Sequence, residues 1–196
     1  MQYQDDIENA LHTLQTGGII LYPTDTVWGI GCDATNPEAV AKIYRLKNRN
    51  EEKSMIILLA SESAIQKYTR QANLKTYDYL KGITTPVTMI YSDAINLAPN
   101  IINADGSVGI RVVKDPFCRS LIQALGRPIV STSSNISGYP PPALFMDIDK
   151  KIINGVDYVV KHRQDDQTPA RPSMVIRMKG DGDYEILRSK VPNPAG

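Results

Sequence analysis

Short apolar runs recur along the whole chain, with stretches of helical spacing between them. This alternation constrains the fold more than any single motif. Runs at 19–22, 27–31, 55–59, 87–91, 108–112 and 128–132 read as buried strands, and 157–160, 173–178 and 184–188 continue the series. Pro23 lacks an N–H, so pairing of the first strand is expected to stop there. Ile7, Leu11 and Leu14 space as a helix over 4–15, ending at Gly17. Asn36-Pro37-Glu38 is a strong helix start: an N-cap, a proline at the first turn and an acid near the positive end. That helix runs to about Leu46, with Val40, Ile43 and Tyr44 inward. Helical patterns also fall at 62–70, 73–81 and 145–153. Asp115-Pro116 opens another, with Phe117, Leu121, Ile122 and Leu125 on one face and Gly126 at its end. Strands alternating with helices predict an α/β fold around a twisted central sheet. The 196 residues carry no internal repeat and no dividing linker. A single domain over 1–190 and a flexible tail over 191–196 follow.

Composition narrows the function by exclusion. A net charge of +1 supplies no global field for nucleic acid, so any anion site must be local. Cys32 and Cys118 lie far apart with no C-x-x-C, which argues against a disulfide framework and for a reducing, cytoplasmic setting. No apolar run approaches the ~20 residues that cross a membrane, and the acidic opening MQYQDDIENA is unlike a signal peptide. The two histidines, His12 and His162, stand in unrelated contexts, against a histidine-rich metal site. Neither a G-x-S-x-G elbow nor a G-x-x-x-x-G-K-S/T phosphate loop occurs. GDGD at 180–183 reads as a hairpin turn rather than a metal loop.

Four features can carry chemistry. Residues 22–31, YPTDTVWGIG, place two hydroxyls and a carboxylate in a turn between strands, and Gly29 and Gly31 leave room for something to come close. Read alone, this is also an ordinary turn. Lys47, Arg49 and Lys53 sit between a helix and a strand; they form either a solvated, dipole-matched loop or a polyphosphate clamp. STSSNISG at 131–138 leaves a strand end, where open α/β sheets bind ligands, although Ser and Asn also simply make turns. Arg111, inside VGIRV, needs a partner, either a protein carboxylate or that of a ligand; Arg188, ending EILR, poses the same choice.

Taken together and in order, YPTDTVWGIGCD at 22–33, LKNRNEEKSMIIL at 46–58, VGIRV at 108–112 and STSSNISGYPP at 131–141 resemble the YrdC/TsaC-type threonylcarbamoyl-AMP synthases, in their short stand-alone form. The resemblance spans about Leu14 to Arg188. It implies a single domain with a twisted mixed β-sheet and flanking helices around a positively charged cavity. It also implies a nucleotidyltransferase that combines L-threonine, bicarbonate or CO2 and ATP into threonylcarbamoyl-AMP and pyrophosphate, for the tRNA modification threonylcarbamoyladenosine. ATP is then a substrate; Mg²⁺ is expected with it, with no dedicated protein site. The downstream partners implied are tRNA threonylcarbamoyl-transferase proteins, and no membrane is involved.

The family's site residues map onto this chain by motif. Thr26, the second threonine of P-T-D/E-T, matches a threonine contact. Lys47 and Arg49 match the K-x-R that faces ATP phosphates and are the catalytic candidates; Lys53 is a nearby ATP contact. Ser107 matches an ATP-side position before the V-x-I/V-R strand, whose Arg111 is expected to hold the threonine carboxylate. Ser133 is turned towards threonine and Asn135 towards the nucleotide. Ser173 matches a late threonine contact and Arg188 a late ATP contact. The chain departs from family habit at 84–88, where TTPVT replaces P-G-P-L/V-T, and at Leu58, Ala143 and Trp28. An RNA-binding module, with weak RNA binding in the same cavity, or a catalytically degenerate nucleotide binder is the alternative.

Overall fold

The computed structural model describes residues 3–48, 55–71, 85–169, 172–179 and 184–188. Helix α1 (Gln4–Gln15) buries Ile7, Ala10 and Leu14. Helix α2 (Pro37–Lys47) starts where Asn36 Oδ1 accepts the N–H groups of Glu38 (3.0 Å) and Ala39 (3.2 Å), two donors a helix start leaves orphaned. Helix α3 (Pro116–Leu125) is capped by Asp115, which accepts from Cys118 N at 2.9 Å. It stops at Gly126, whose φ of 69° is the left-handed conformation that glycine adopts without a Cβ penalty. The stretch expected as one helix over 145–153 divides into a 3₁₀ turn at Phe145–Asp147 and helix α4 (Lys150–Gly155). Asp149 causes the break, since its carboxylate accepts Lys151 N at 2.7 Å and starts a new helix. Likewise, 62–70 forms a 3₁₀ turn at Glu62–Lys67 that buries Ile65. The expected helix at 73–81, the turn at 180–183 and the tail lie outside the described residues.

Among the described residues, nine strands form one open mixed sheet in the order β7-β1-β2-β6-β3-β5-β4-β8-β9. They are β1 (Ile20–Tyr22), β2 (Gly29–Gly31), β3 (Ile56–Leu59), β4 (Val87–Tyr91), β5 (Val108–Val112), β6 (Ile129–Ser133), β7 (Tyr158–Val159), β8 (Met174–Met178) and β9 (Tyr184–Arg188). β1 ends at Tyr22, just before Pro23. The pairs β1–β7, β3–β5 and β4–β8 are parallel and the remaining pairs antiparallel.

Alternation along the strands divides their side chains between two faces. One face carries Leu21, Ile30, Ile57, Leu59, Met89, Tyr91, Ile110, Val130 and Ile176; it packs on Val40, Ile43 and Tyr44 of α2, on Ile65 and Ile101 of 3₁₀ turns and on Ile152 of α4. The other face is covered over part of its extent only. Ile20, Tyr22, Leu58 and Ile129 lie under Ile7 and Leu14 of α1 and Phe117, Leu121 and Ile122 of α3. Beyond them the same face mixes glycines and polar side chains with Ile56, Ile90 and Val175 and forms the floor of a cavity.

Candidate active site

The cavity holds about 420 Å³, and its floor is read off strand by strand: Gly29 from β2, Ser131 and Ser133 from β6, Ile56 from β3, Gly109 and Arg111 from β5, Thr88 and Ile90 from β4, Val175 from β8. Thr26, Asn103, Ser173 and Arg188 add to its wall. The structure thus gathers Thr26, Arg111, Ser133, Ser173 and Arg188 around one space. Their separation in the chain reflects the strand order, which brings β2, β6, β3, β5, β4 and β8 side by side.

The turn after β1 is held by hydroxyls. Thr24 Oγ1 donates to Val27 O (2.8 Å) and accepts Thr26 N (3.0 Å). Its single proton is thereby used, so the 3.0 Å contact between the two threonine hydroxyls has Thr26 Oγ1 as donor. Thr26 keeps its lone pairs for an incoming donor. Across the floor, the Thr88 and Ser173 hydroxyls share a bond of 2.9 Å.

Arg111 is only 4% exposed. Its NH2 lies 3.3 Å from Asp25 Oδ1 and 3.5 Å from Thr24 Oγ1, while its Nε finds no acceptor among the described residues. The choice left open by the sequence has a split answer. A protein carboxylate lies in ion-pair range of one nitrogen without a hydrogen bond to it, and the Nε donor stays unspent in a buried place, where an unsatisfied group costs ~1–3 kcal/mol. Arg188 donates from Nε and NH2 to Ser173 O (3.1 and 2.9 Å). Partial desolvation, and then the neighbouring Arg111, hold its pKa below the usual guanidinium value, as expected of cations that share one cavity.

The other candidates are placed differently. Lys47 is fully buried; its Nζ donates to the carbonyls of Ser133 and Asn135, and its own carbonyl accepts Ser137 N at 3.0 Å. It fastens the S-x-N loop from behind and is not part of the cavity lining. Ser133 Oγ donates to Asn135 Oδ1, and Asn135 Nδ2 donates to Ile136 O (3.0 Å) and Tyr139 O (2.7 Å). Asn135 lines a neighbouring space of about 400 Å³ with Tyr139, Pro140 and Ala143. Pro141 faces both spaces. Ser107 is buried beside the floor, where its hydroxyl donates to Asp105 Oδ1 (2.5 Å) and accepts Asn103 Nδ2 (2.9 Å). Arg49 and Lys53 lie outside the described residues.

The two glycines read together in the sequence separate in space. A Cβ on Gly29 would face the cavity, 3.2 Å from Ser131 Oγ. One on Gly31 would strike Tyr22 Cε1 and Val130 O at 2.6 Å, so Gly31 makes room for protein and not for a ligand. Sequence reasoning missed Thr88 and Gly109, and it held Asp25 and Ser131 inside motifs without giving either a role of its own. Each left a faint sign: an acid inside T-D-T to answer a buried arginine, and hydroxyls or a glycine at alternate positions of apolar runs.

Thiolate and phenolate chemistry have no support here. Burial, followed by the Asp115 and Asp25 carboxylates, pushes the Cys118 thiol well up, and Sγ donates to Pro23 O at 3.2 Å. Burial raises the Tyr22 phenol far above its ordinary value. Neither histidine lines the cavity. Hydroxyls and guanidiniums remain, a set suited to holding anions and positioning reactants.

Comparison with known proteins bears on the family and the fold. A family model described as telomere recombination, Sua5/YciO/YrdC, matches residues 12–189. The threonylcarbamoyl-AMP synthase of Photobacterium profundum is 33% identical over 151 residues, covering 76% of this chain and 82% of that protein. P. abyssi Sua5 in complex with L-threonine superposes with a TM-score of 0.82 at 24% identity over 94% of this chain; the chain spans 54% of that longer protein. E. coli YciO superposes with a TM-score of 0.82 at 22% identity, covering 97% of this chain and 91% of its own. At these identities, the superpositions speak for the fold.

Proposed function

Because the chain belongs to the Sua5/YciO/YrdC family, we propose that it is a threonylcarbamoyl-AMP synthase, the activity named for its curated relatives. L-threonine takes up CO2 at its amine, with loss of a proton, to give a carbamate. A carbamate oxygen then bonds to the α-phosphorus of ATP as the bond to the β-phosphate oxygen breaks, and pyrophosphate leaves. Such a transfer needs alignment and charge neutralisation more than a protein nucleophile. The observation that carries the reading is the buried Arg111, whose Nε has no acceptor among the described residues, opening onto a cavity ringed with hydroxyls.

In this reading Arg111 holds the threonine carboxylate, with Thr26, Ser133 and Ser173 around the amino acid. Arg188 faces the triphosphate from the cavity wall, and Arg49 and Lys53 are assigned to the same phosphates by their motif. Ser107 and Asn135 support the nucleotide side, Asn135 through the loop it folds. Lys47 acts through Ser133 and Asn135, whose carbonyls it holds. Mg²⁺ arrives with ATP; no cluster of three or more His, Cys, Asp or Glu suited to a metal occurs among the described residues. The product is a mixed anhydride that hydrolyses readily, so transfer proteins must take it on to tRNA. A cytoplasmic site of action fits that route, and no described helix is long and apolar enough to cross a membrane.

The test is pyrophosphate release from ATP with bicarbonate and Mg²⁺, with and without L-threonine. Threonine-dependent release is expected, together with a severe loss in Lys47→Ala and Arg49→Ala while the circular dichroism stays native. Near-normal turnover in both variants would remove the basic motif from the mechanism. No threonine dependence in the wild type would remove the synthase reading.

A further inference from the structure

Ser173 serves the cavity with two groups, a hydroxyl and a carbonyl, and one buried hydroxyl on a neighbouring strand holds it in place. We infer that Thr88 is a positioning residue: its hydroxyl pins Ser173 and, through the Ser173 backbone, sets Arg188. On the synthase reading, on which this rests, Ser173 borders the amino acid and Arg188 faces the triphosphate.

Thr88 on β4 pairs with Val175 on β8, and Val175 pairs with Arg188 on β9. The three form one row across three strands, and all three line the cavity. Ser173 comes two residues before Val175 and turns to the same space. Thr88 and Ser173 are both buried, and their hydroxyls meet at 2.9 Å. The rest of Thr88 fixes where its hydroxyl points. β5 and β8 flank β4 on opposite sides. The Thr88 Cγ2 methyl lies on the β5 side, 3.4 Å from where a Cβ on Gly109 would stand, which leaves the hydroxyl on the β8 side. The Ser173 carbonyl in turn accepts two donors of Arg188, at 3.1 and 2.9 Å. Without the Thr88 hydroxyl, the Ser173 hydroxyl loses its partner in a buried place and is free to turn from the substrate. The carbonyl of the same residue carries Arg188, so the disturbance reaches both sides of the cavity. The sheet itself does not depend on this bond, because the β4–β8 backbone ladder begins beside it, with Met174 N donating to Pro86 O at 3.1 Å.

The experiment measures KM and kcat for threonine and for ATP in pyrophosphate release by the full chain. Thr88→Val keeps the branched shape and removes the hydroxyl; Thr88→Ser keeps the hydroxyl and removes the methyl. Thr88→Val is expected to raise both KM values about five- to tenfold, the worth of one hydrogen bond, and Thr88→Ser to stay within about twofold of wild type. In a Ser173→Ala background, Thr88→Val is expected to add nothing further to either KM. Packing alone would reverse the order and make Thr88→Ser the worse variant, which overturns the inference, as do wild-type kinetics in Thr88→Val. A rise confined to threonine overturns the reach to Arg188. A full additional loss in the Ser173→Ala background would mean that Thr88 touches substrate itself, and the positioning role falls. In each of these cases the wild type still turns over and the synthase reading stands. Absence of any threonine-dependent release in the wild type overturns the parent reading, and the pin with it.

Discussion

One face of the sheet is built in two ways. Where α1 and α3 lie over it, the strands present Ile20, Tyr22, Leu58 and Ile129, and no space is left. A few residues along the same strands, it presents Gly29, Ser131, Gly109, Arg111 and Thr88 around a cavity of about 420 Å³. The backbone ladder runs through both halves without interruption: Leu58 pairs with Arg111, and Ile129 pairs with Leu58. The difference lies in what the side chains are asked to do. Apolar area under the helices contributes stability at ~25 cal/mol per Å². In the open half, hydroxyls and guanidiniums give up that gain and keep hydrogen-bonding capacity for a ligand. Substitutions in the covered half are therefore expected to move stability and leave chemistry alone, and those in the open half to do the reverse.

The largest effect is expected in the covered half. Leu121 is fully buried against α1 and the sheet. Leu121→Ala is expected to lower unfolding free energy by about 2–5 kcal/mol, with a melting shift of ~2–4 °C per kcal/mol. Kinetic constants per folded molecule stay at wild type; a selective rise in KM would show that the halves are not independent. The matching change in the open half is Arg111→Lys. It keeps the charge beside Asp25 but loses the planar fork. A fall of about 100-fold in threonine kcat/KM is expected, about 2.7 kcal/mol of transition-state stabilisation, with little change in melting. Equal losses in stability and activity would break the division.

A finer contrast uses two glycines on one short strand. Gly31→Ala drives a Cβ into Tyr22 and the Val130 carbonyl, under the helices. Overpacking of this kind costs about 1–3 kcal/mol, and chemical denaturation should show it. Gly29→Ala meets Ser131 Oγ at 3.2 Å, Thr24 Cγ2 at 3.4 Å and Thr132 O at 3.5 Å, contacts much looser than those at Gly31, on the floor of the cavity. Its melting curve should lie near wild type while its KM for threonine rises. The same response in both variants would mean that the boundary between the halves is drawn in the wrong place.

The covered half and the opposite face of the sheet were the legible parts. Asn36 and Asp115 announce helix starts, Gly126 announces a stop, and Pro23 ends its strand, because each acts through its own backbone and the next few residues. In the open half the residues offered candidates, the turn at 22–31, Arg111, Arg188 and the loop at 131–138, and the resemblance chose among their roles. Its cavity face keeps Ile56, Ile90 and Val175 among the polar positions, so the runs are nearly continuous, and period-2 counting does not tell which face Thr88 or Gly109 takes. The side chain of Lys47 was hardest to place. A lysine after a helix reads as solvated or phosphate-facing, yet carbonyls distant in sequence, those of Ser133 and Asn135, receive it. Gly31 misled for the same reason: its close neighbour is Tyr22 across the hairpin, and no local signal says whether a glycine makes room for ligand or for protein.

The smallest effect tests the joint between the halves. Asp115 caps α3 through Cys118 N and also lies 3.4 Å from Arg163 NH1, which donates to Thr24 O at 3.1 Å in the turn that carries Thr26. One carboxylate therefore belongs to a helix of the covered half and, through one arginine, to a wall of the cavity. The two roles separate by substitution. Asp115→Ala removes both and should cost about 1 kcal/mol, mostly the lost cap. Asp115→Asn keeps a capping oxygen and removes only the charge facing Arg163; a partly exposed pair of this kind is worth ~0–1 kcal/mol, so stability should barely move. If Arg163 needs that charge to hold Thr24, threonine KM rises in both variants by the same few-fold. If KM rises only in Asp115→Ala, the turn is held through the start of α3 itself, and the covered half reaches the chemistry by its backbone.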